Sequence, residues 1–295
     1  MTLPDCSDRT VLLTGGTRGI GRAAARKIGD LGATLLLVGR DAERGEATTE
    51  RLRQRGVDAE FLRYDLAAQS SVRDLAATVR ERVDALDALV NNAGLARSSR
   101  ERTADGVPVT VAVNHLAPYL LTHELLPLLT DSAPSRVVVT SSGVHERASL
   151  DPDDLDLRGD YEGFDAYART KLMNVLFTYE LADRLRGTGV TTTTFHPGFI
   201  PSSGLYRDSA FYVRAAMRLL SILPVGQTVE DGAEALAYLT CSEEVADVTG
   251  RYFDGTTPAD PSSDARDERL RRALWDESAE LVGVDPDWPR AERET

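Results

Sequence analysis

The chain has 295 residues, 42% of them hydrophobic, and a formal net charge of −13 at pH 7. That supplies enough apolar surface for one large core, and the length suits a single α/β domain. The acidic balance argues against a general nucleic-acid partner, because phosphate binding needs a basic face.

The opening residues MTLPDCSDRT lack the basic start and apolar core of a secretory signal, and no apolar run approaches the roughly 20 residues of a membrane-spanning helix. The expected location is therefore the cytoplasm, with no transmembrane anchor. Beyond this start, short apolar runs alternate with longer segments of helical period, the pattern of βαβ units. Strands are expected at 10–13, 34–38, 59–63, 88–90, 136–140, 191–195 and 250–253. Helices are expected at 20–31, 42–55, 71–83, 169–185 and 267–282, each with an apolar stripe opposite its charges. Cys6 and Cys241 form no disulfide framework, and His115, His123, His145 and His196 show no metal-ligand spacing. Lys27 and Lys171 are the only lysines, so arginine carries nearly all the positive charge. An aspartate-rich, lysine-poor surface suits high salt, although a GC-rich genome would also favour arginine over lysine.

Between the first strand and first helix stands Thr14-Gly15-Gly16-Thr17-Arg18-Gly19-Ile20-Gly21. Gly15 allows a backbone conformation that other residues resist, Gly19 lets a phosphate approach the main chain, and Gly21 lets the helix pack close to the strand. The unpaired N–H groups at such a helix start can hold a pyrophosphate. A glycine-rich turn can also serve packing alone.

The spacing T-G-x-x-x-G-x-G resembles that of the short-chain dehydrogenase/reductase family. Further segments follow in the order that family requires: Asp65-Leu66, Asn91-Asn92-Ala93-Gly94, Ser141-Ser142, Tyr167-Ala168-Arg169-Thr170-Lys171 and His196-Pro197-Gly198. The resemblance spans roughly residues 9 to 254. Val113-Asn114-His115-Leu116 and the stretch from Lys171 to Thr178 are similar to the retinol dehydrogenase branch, as is the 25-position interval from Ser142 to Tyr167. The insertion within that interval, 146–163, is acidic and reads as a surface excursion beside the pocket. The resemblance implies a doubly wound parallel sheet, a Rossmann fold, in one domain: a core at 8–254, a small helical substrate-covering segment at 199–227, and a C-terminal helix and tail at 258–295. Many members pair through the helix bearing the tyrosine, which leaves a homo-oligomer open.

Tyr167 and Lys171 lie four apart on an expected helix and so share a face. A free phenol has a pKa near 10; a neighbouring ammonium favours its anion and makes proton exchange with a carbonyl or alcohol oxygen feasible near neutrality. By resemblance Ser142 bonds that same oxygen, Ser141 is packed or bonded to backbone, and Asn114 orders a water leading to the lysine. A Tyr-Lys pair also fits a packed ring with a solvated amine, and Asn114 also fits a buried amide satisfied by backbone.

The resemblance assigns cofactor binding to Gly15, Thr17, Arg18, Gly19, Ile20, Gly21, Arg40, Asp65, Leu66, Asn92, Ala93, Gly94, Tyr167, Lys171, Pro197, Gly198 and Ile200. Arg40 stands 19 positions past Gly21, where an acidic residue would select a free ribose hydroxyl. A guanidinium there, flanked by Arg18, suits a 2′-phosphate, so NADP (NADPH) is expected over NAD. Asp41 caps the next helix in this reading; turned inward, it would favour NAD instead. Phe211, Tyr212, Met217, Leu219 and Leu220 make the covering segment apolar, which suits a small hydrophobic aldehyde, ketone or alcohol. The alternatives are a non-catalytic NADP-binding sensor or scaffold, which would not need Ser142, Tyr167 and Lys171 together, and a nucleotide-sugar epimerase, for which the roughly 40 residues after Asp254 leave little room.

Overall fold

Successive strand residues face opposite sides of a sheet, and here both sides are apolar. Val11, Leu13, Leu35 and Leu37 join one buried cluster, while Leu12, Leu36 and Val38 join another across the sheet. Strands buried on both faces read as continuous apolar runs and belong to parallel sheets covered by helices.

The computed structural model, which describes residues 3–151, 154, 157, 159, 161–201 and 226–289, has that architecture. Its strands are β1 (Thr10–Thr14), β2 (Thr34–Gly39), β3 (Ala59–Arg63), β4 (Ala88–Asn91), β5 (Ser135–Thr140), β6 (Val190–His196), β7 (Arg251–Asp254) and β8 (Thr257–Ala259). They form one sheet in the order β3-β2-β1-β4-β5-β6-β7-β8. The doubly wound α/β fold expected from sequence is present. The sheet is parallel through β7, and β8 returns antiparallel beside it as an edge.

The helices are α1 (Gly19–Asp30), α2 (Ala42–Arg53), α3 (Gln69–Arg82), α4, α5 (Gly163–Arg184), α6 (Val229–Cys241) and α7 (Glu268–Val282). Helix α4 runs from Val109–Val111 through a π-helical turn at Ala112–Leu116 into Ala117–Asp131. Ile28 of α1 and Leu236 of α6 cover one face of the sheet. Leu75 of α3, Leu120 of α4, Phe177 of α5 and Trp275 of α7 cover the other. Burying each such side chain contributes about 1.5–3 kcal/mol.

Two expectations are revised. Helix α5 starts at Gly163, not near 169, so Tyr167 stands inside it; Glu162 accepts the Asp165 N–H at 2.7 Å and stabilises the earlier start. Gly163 abuts the backbone of Arg97 closely enough that an added Cβ would lie 2.3 Å from its carbonyl oxygen. The insertion is more than a surface excursion. Ala148, Leu150 and Leu157 are buried in it, and Tyr161 packs against the main core. The apolar covering segment expected around Phe211 to Leu220 lies outside the described residues.

Candidate active site

The carboxyl ends of β1, β4, β5 and β6 converge on one cleft of about 480 Å³. Ligands of open α/β sheets bind at such strand ends, where the winding reverses. Here β1 and β4 are neighbours, and the chain winds outward from them in both directions.

The glycine turn forms one end. Gly15 has φ +69° and Gly19 φ +50°, the left-handed region that glycine adopts without strain. A Cβ at Gly21 would lie 2.3 Å from the Gly15 carbonyl oxygen and 2.6 Å from Asn92 Nδ2. The close approach at Gly21 is thus to the turn and Asn92, a correction to the expected helix-to-strand contact. Thr17, Arg18, Ile20, Asp65 and Leu66 join the three glycines along this end of the cleft.

Threonine and asparagine side chains tie the strand ends together. Thr14 Oγ1 accepts the N–H groups of Asn92 and Ala93 at 2.9 and 3.0 Å, and Asn92 Nδ2 donates to the Thr14 carbonyl at 3.0 Å. Gly94 continues the wall: a Cβ there would lie 3.5 Å from both Asn114 Oδ1 and Lys171 Nζ.

Ser142, Tyr167 and Lys171 line this same cleft. Lys171 is 3% exposed, donates from Nζ to the Thr140 carbonyl at 2.9 Å, and has its ammonium 5.5 Å from the centre of the Tyr167 ring. Burial lowers its pKa from 10.5 to about 8, because desolvation penalises the charged form. Asn174, one turn along α5, donates to the same Thr140 carbonyl at 3.2 Å. Ser141 is buried and donates to the Lys171 carbonyl at 2.8 Å, the backbone-bonded state expected for it. Ser142, just past the end of β5, lines the cleft together with Ser141, whose hydroxyl is committed to the Lys171 carbonyl.

Asn114 lies in the π-turn of α4, fully buried, and is absent from the cleft wall. Its Oδ1 accepts the Leu95 N–H at 2.8 Å, and its Nδ2 donates to the Leu95 carbonyl at 2.8 Å and Thr170 Oγ1 at 3.0 Å. The side-chain amide is bonded to the Leu95 backbone and to Thr170, and it fixes the loop after β4. Next to it, His115 donates or accepts at Nε2 with Ser278 Oγ at 2.8 Å, and burial lowers its pKa to about 4.

Arg40 is exposed on the cleft rim, and Arg18 faces the same opening. Asp41 does cap α2: its Oδ1 accepts the Arg44 N–H at 3.0 Å, and its Oδ2 lies 2.8 Å from Arg44 Nη1 and 3.9 Å from Arg18 Nη2. Pro197, Gly198 and Ile200 also line the cleft, with Pro197, Ile200 and Ile20 gathered around Gly232 of α6. Sequence reasoning missed His196 as a lining residue and His145 just behind Ser142, because one partner of each lies far along the chain, the Asp254 carboxylate for His196 and the Ser262 N–H for His145. Among the described residues, no group of three or more His, Cys, Asp or Glu could hold a metal, and no helix is long and apolar enough to cross a membrane.

A sequence model described as short chain dehydrogenase matches residues 9–209. The chain is 40% identical over 282 residues to dehydrogenase/reductase SDR family member 13 of Bos taurus, covering 94% of this chain and 74% of that one. It is 38% identical over 286 residues to human retinol dehydrogenase 13, covering 94% and 85%. Among solved structures, an uncharacterized protein from Mycobacterium paratuberculosis superposes with a TM-score of 0.78 at 31% identity, covering 96% of each chain. The Pseudomonas aeruginosa RhlG/NADP active-site complex superposes with a TM-score of 0.69 at 26% identity, covering 86% and 98%.

Proposed function

The chain belongs to the short-chain dehydrogenase family and is an oxidoreductase, and from that premise we propose that it interconverts a small hydrophobic aldehyde or ketone and its alcohol with NADP, in the cytoplasm. The observation that carries this reading is the convergence of Ser142, Tyr167 and Lys171 with the glycine turn on one cleft.

The cleft fits a nicotinamide dinucleotide. Its glycine turn has no side chain in the way at Gly15 or Gly19, and the first amides of α1 open beside that turn. Gly15, Thr17, Arg18, Gly19, Ile20 and Gly21 would hold the phosphates, Asp65 and Leu66 the adenine end, and Asn92, Ala93 and Gly94 the ribose wall. Pro197, Gly198 and Ile200 would face the nicotinamide end, with Lys171 within reach of its ribose. When bound, the cofactor supplies hydride to a carbonyl carbon or takes it from an alcohol.

In reduction, Tyr167 gives its phenolic proton to the carbonyl oxygen, and in oxidation it takes that proton back. The Lys171 ammonium stabilises negative charge on the phenol oxygen, and its bond to the Thr140 carbonyl holds it beside the ring. Ser142 donates to the reacting oxygen and stabilises charge developing there. Asn114 supports this group indirectly, through the loop from Gly94 to Leu95 and through Thr170.

Arg40 and Arg18 support the preference for a 2′-phosphorylated cofactor, since a guanidinium matches phosphate geometry. The Asp41 carboxylate is engaged by Arg44 at 2.8 Å and lies 3.9 Å from Arg18, so two guanidinium groups offset its charge. The substrate class is supported by the retinol dehydrogenase name of a relative similar over 94% of this chain.

The test is a screen of hydrophobic aldehydes and ketones against NADPH and NADH, followed at the nicotinamide absorbance, with Tyr167→Phe beside the parent. The expected result is NADPH-preferring reduction that falls about 10²-fold or more in Tyr167→Phe. Unchanged turnover in that variant would refute the proton-transfer role. Cofactor binding without turnover on any carbonyl would favour a sensor.

A further inference from the structure

Two imidazoles, His196 lining the cleft and His145 behind Ser142, are held in defined and opposite tautomers. His145 is fully buried, with Nδ1 2.8 Å from the Ser142 carbonyl and Nε2 3.2 Å from the Ser262 N–H. A backbone carbonyl can only accept and a backbone N–H can only donate. His145 therefore carries its proton on Nδ1 and donates to Ser142. At His196 the pattern is reversed: Nδ1 accepts the Gly198 N–H at 3.0 Å, and Nε2 lies 2.9 Å from Asp254 Oδ1. The carboxylate fixes the proton on Nε2 and leaves the Nδ1 lone pair for Gly198.

Both rings pack on Tyr252, which is itself buried. The His145 and Tyr252 centroids are 4.9 Å apart, and His196 stacks on Tyr252 at 5.9 Å with an 18° interplanar angle. His196 and Asp254 are direct register partners on β6 and β7. A Cβ at Gly143, the residue after Ser142, would lie 3.6 Å from the His196 ring, so the two walls of the cleft touch through this imidazole.

From these contacts we infer that His145 and His196 are positioning residues: one holds the Ser142 backbone and the other the Gly198 turn, and together they fix the serine and nicotinamide walls of the cleft relative to β7 and the segment after it. The inference rests on the oxidoreductase reading of that cleft. Gly198 has φ +81°, so its turn is not held by ordinary strand pairing. Its amide would lack this acceptor without the Nδ1 lone pair. Each acts through a backbone group, the Ser142 carbonyl for His145 and the Gly198 amide for His196.

The tautomers dictate the test. An asparagine amide places a polar atom near Nδ1, whereas a glutamine amide reaches toward Nε2. His196→Ala, His196→Asn and His196→Gln are compared with the parent for NADPH affinity, by fluorescence titration of the reduced nicotinamide, and for kcat and KM. Loss of one such hydrogen bond predicts about tenfold weaker NADPH binding in His196→Ala and His196→Gln, with most of the affinity regained in His196→Asn. Asp254→Ala, which leaves the core untouched, should weaken NADPH binding in the same direction by about threefold. The mirror arm is at Ser142: His145→Gln should lower kcat about tenfold with little change in NADPH affinity, and His145→Asn should regain most of it. Should the buried position 145 not tolerate substitution, the His196 and Asp254 arms decide.

Equal affinities in the Asn and Gln variants at 196, or Asp254→Ala indistinguishable from the parent, would overturn the inference. Because affinity is read without turnover, a chain that binds NADPH but reduces no carbonyl would refute the catalytic reading while the Asn and Gln comparison still judges the positioning one. A parent chain that does not bind NADPH would overturn both.

Discussion

Lys171 combines a buried cation with a reactive neighbour, and its energetics are separable from its chemistry. Burial lowers its pKa from 10.5 to about 8. Between those values the unfolded chain holds a proton that the folded chain has released, so this group makes stability rise with pH across that window; below about 8 the fold carries the full cost of the buried ammonium. Comparing urea midpoints of the parent and Lys171→Met from pH 7 to 10 isolates this effect from other titrating groups. The expected difference in pH-dependent stability is on the order of 1 to 3 kcal/mol, and the variant should also lose about 10²-fold or more in kcat. Matching pH profiles would mean the amine is solvated in the folded chain. At this scale the sequence was legible where the chemistry is local. Tyr167 and Lys171 are one helical turn apart, and Ser141 and Ser142 sit at a strand end. Asn114 was half legible, because its partners are 19 and 56 positions away. His145 was not, since the N–H that fixes its tautomer lies 117 positions along the chain.

Element boundaries followed the same division between local and distant causes. Alternating apolar strands and amphipathic helices were readable because burial imposes periods of 2 and 3.6 residues. Strand β8 was missed: three residues with a proline at the centre carry no period, and only pairing with Tyr252 to Asp254 makes them a strand. The early start of α5 depends on Gly163 fitting against Arg97, a contact across the fold. The α2 cap was legible, and it yields a prediction at this scale. Asp41→Ala removes the acceptor for the Arg44 N–H and should cost about 1 kcal/mol in unfolding free energy. It should also leave NADPH favoured over NADH, because Arg40 is untouched. A selective collapse of NADH turnover in Asp41→Ala would instead show that this carboxylate serves a ribose hydroxyl.

For the whole molecule, the C-terminal segment closes the helical layer that supports the site. Trp275 of α7 and Trp288 beyond it lie 4.5 Å apart between centroids and both pack on Tyr119 of α4. Trp275 Nε1 donates to the Pro286 carbonyl at 2.9 Å, Trp288 Nε1 to Tyr119 Oη at 2.8 Å, and the Arg184 guanidinium of α5 sits 4.4 Å over the Trp275 ring. The sequence identified an amphipathic helix here but not what it covers, because amphipathicity names a buried face and no partner. Helix α7 joins α4 and α5, the helices that carry Asn114 and the Tyr167-Lys171 pair, and Ser278 meets His115 beside Asn114. Trp275→Ala should therefore cost about 3–5 kcal/mol in unfolding free energy, as large aromatic truncations in cores do. At temperatures where the variant stays folded, its KM for NADPH should change little, because no atom of Trp275 reaches the cleft. Trp288→Ala should destabilise as well. The two rings share contacts, so the double variant should lose less than the sum of the single losses, with a coupling of about 0.5–3 kcal/mol in urea unfolding. Additive losses would mean that the helix and the tail dock independently, and that Trp288 is not part of the support beneath Tyr119.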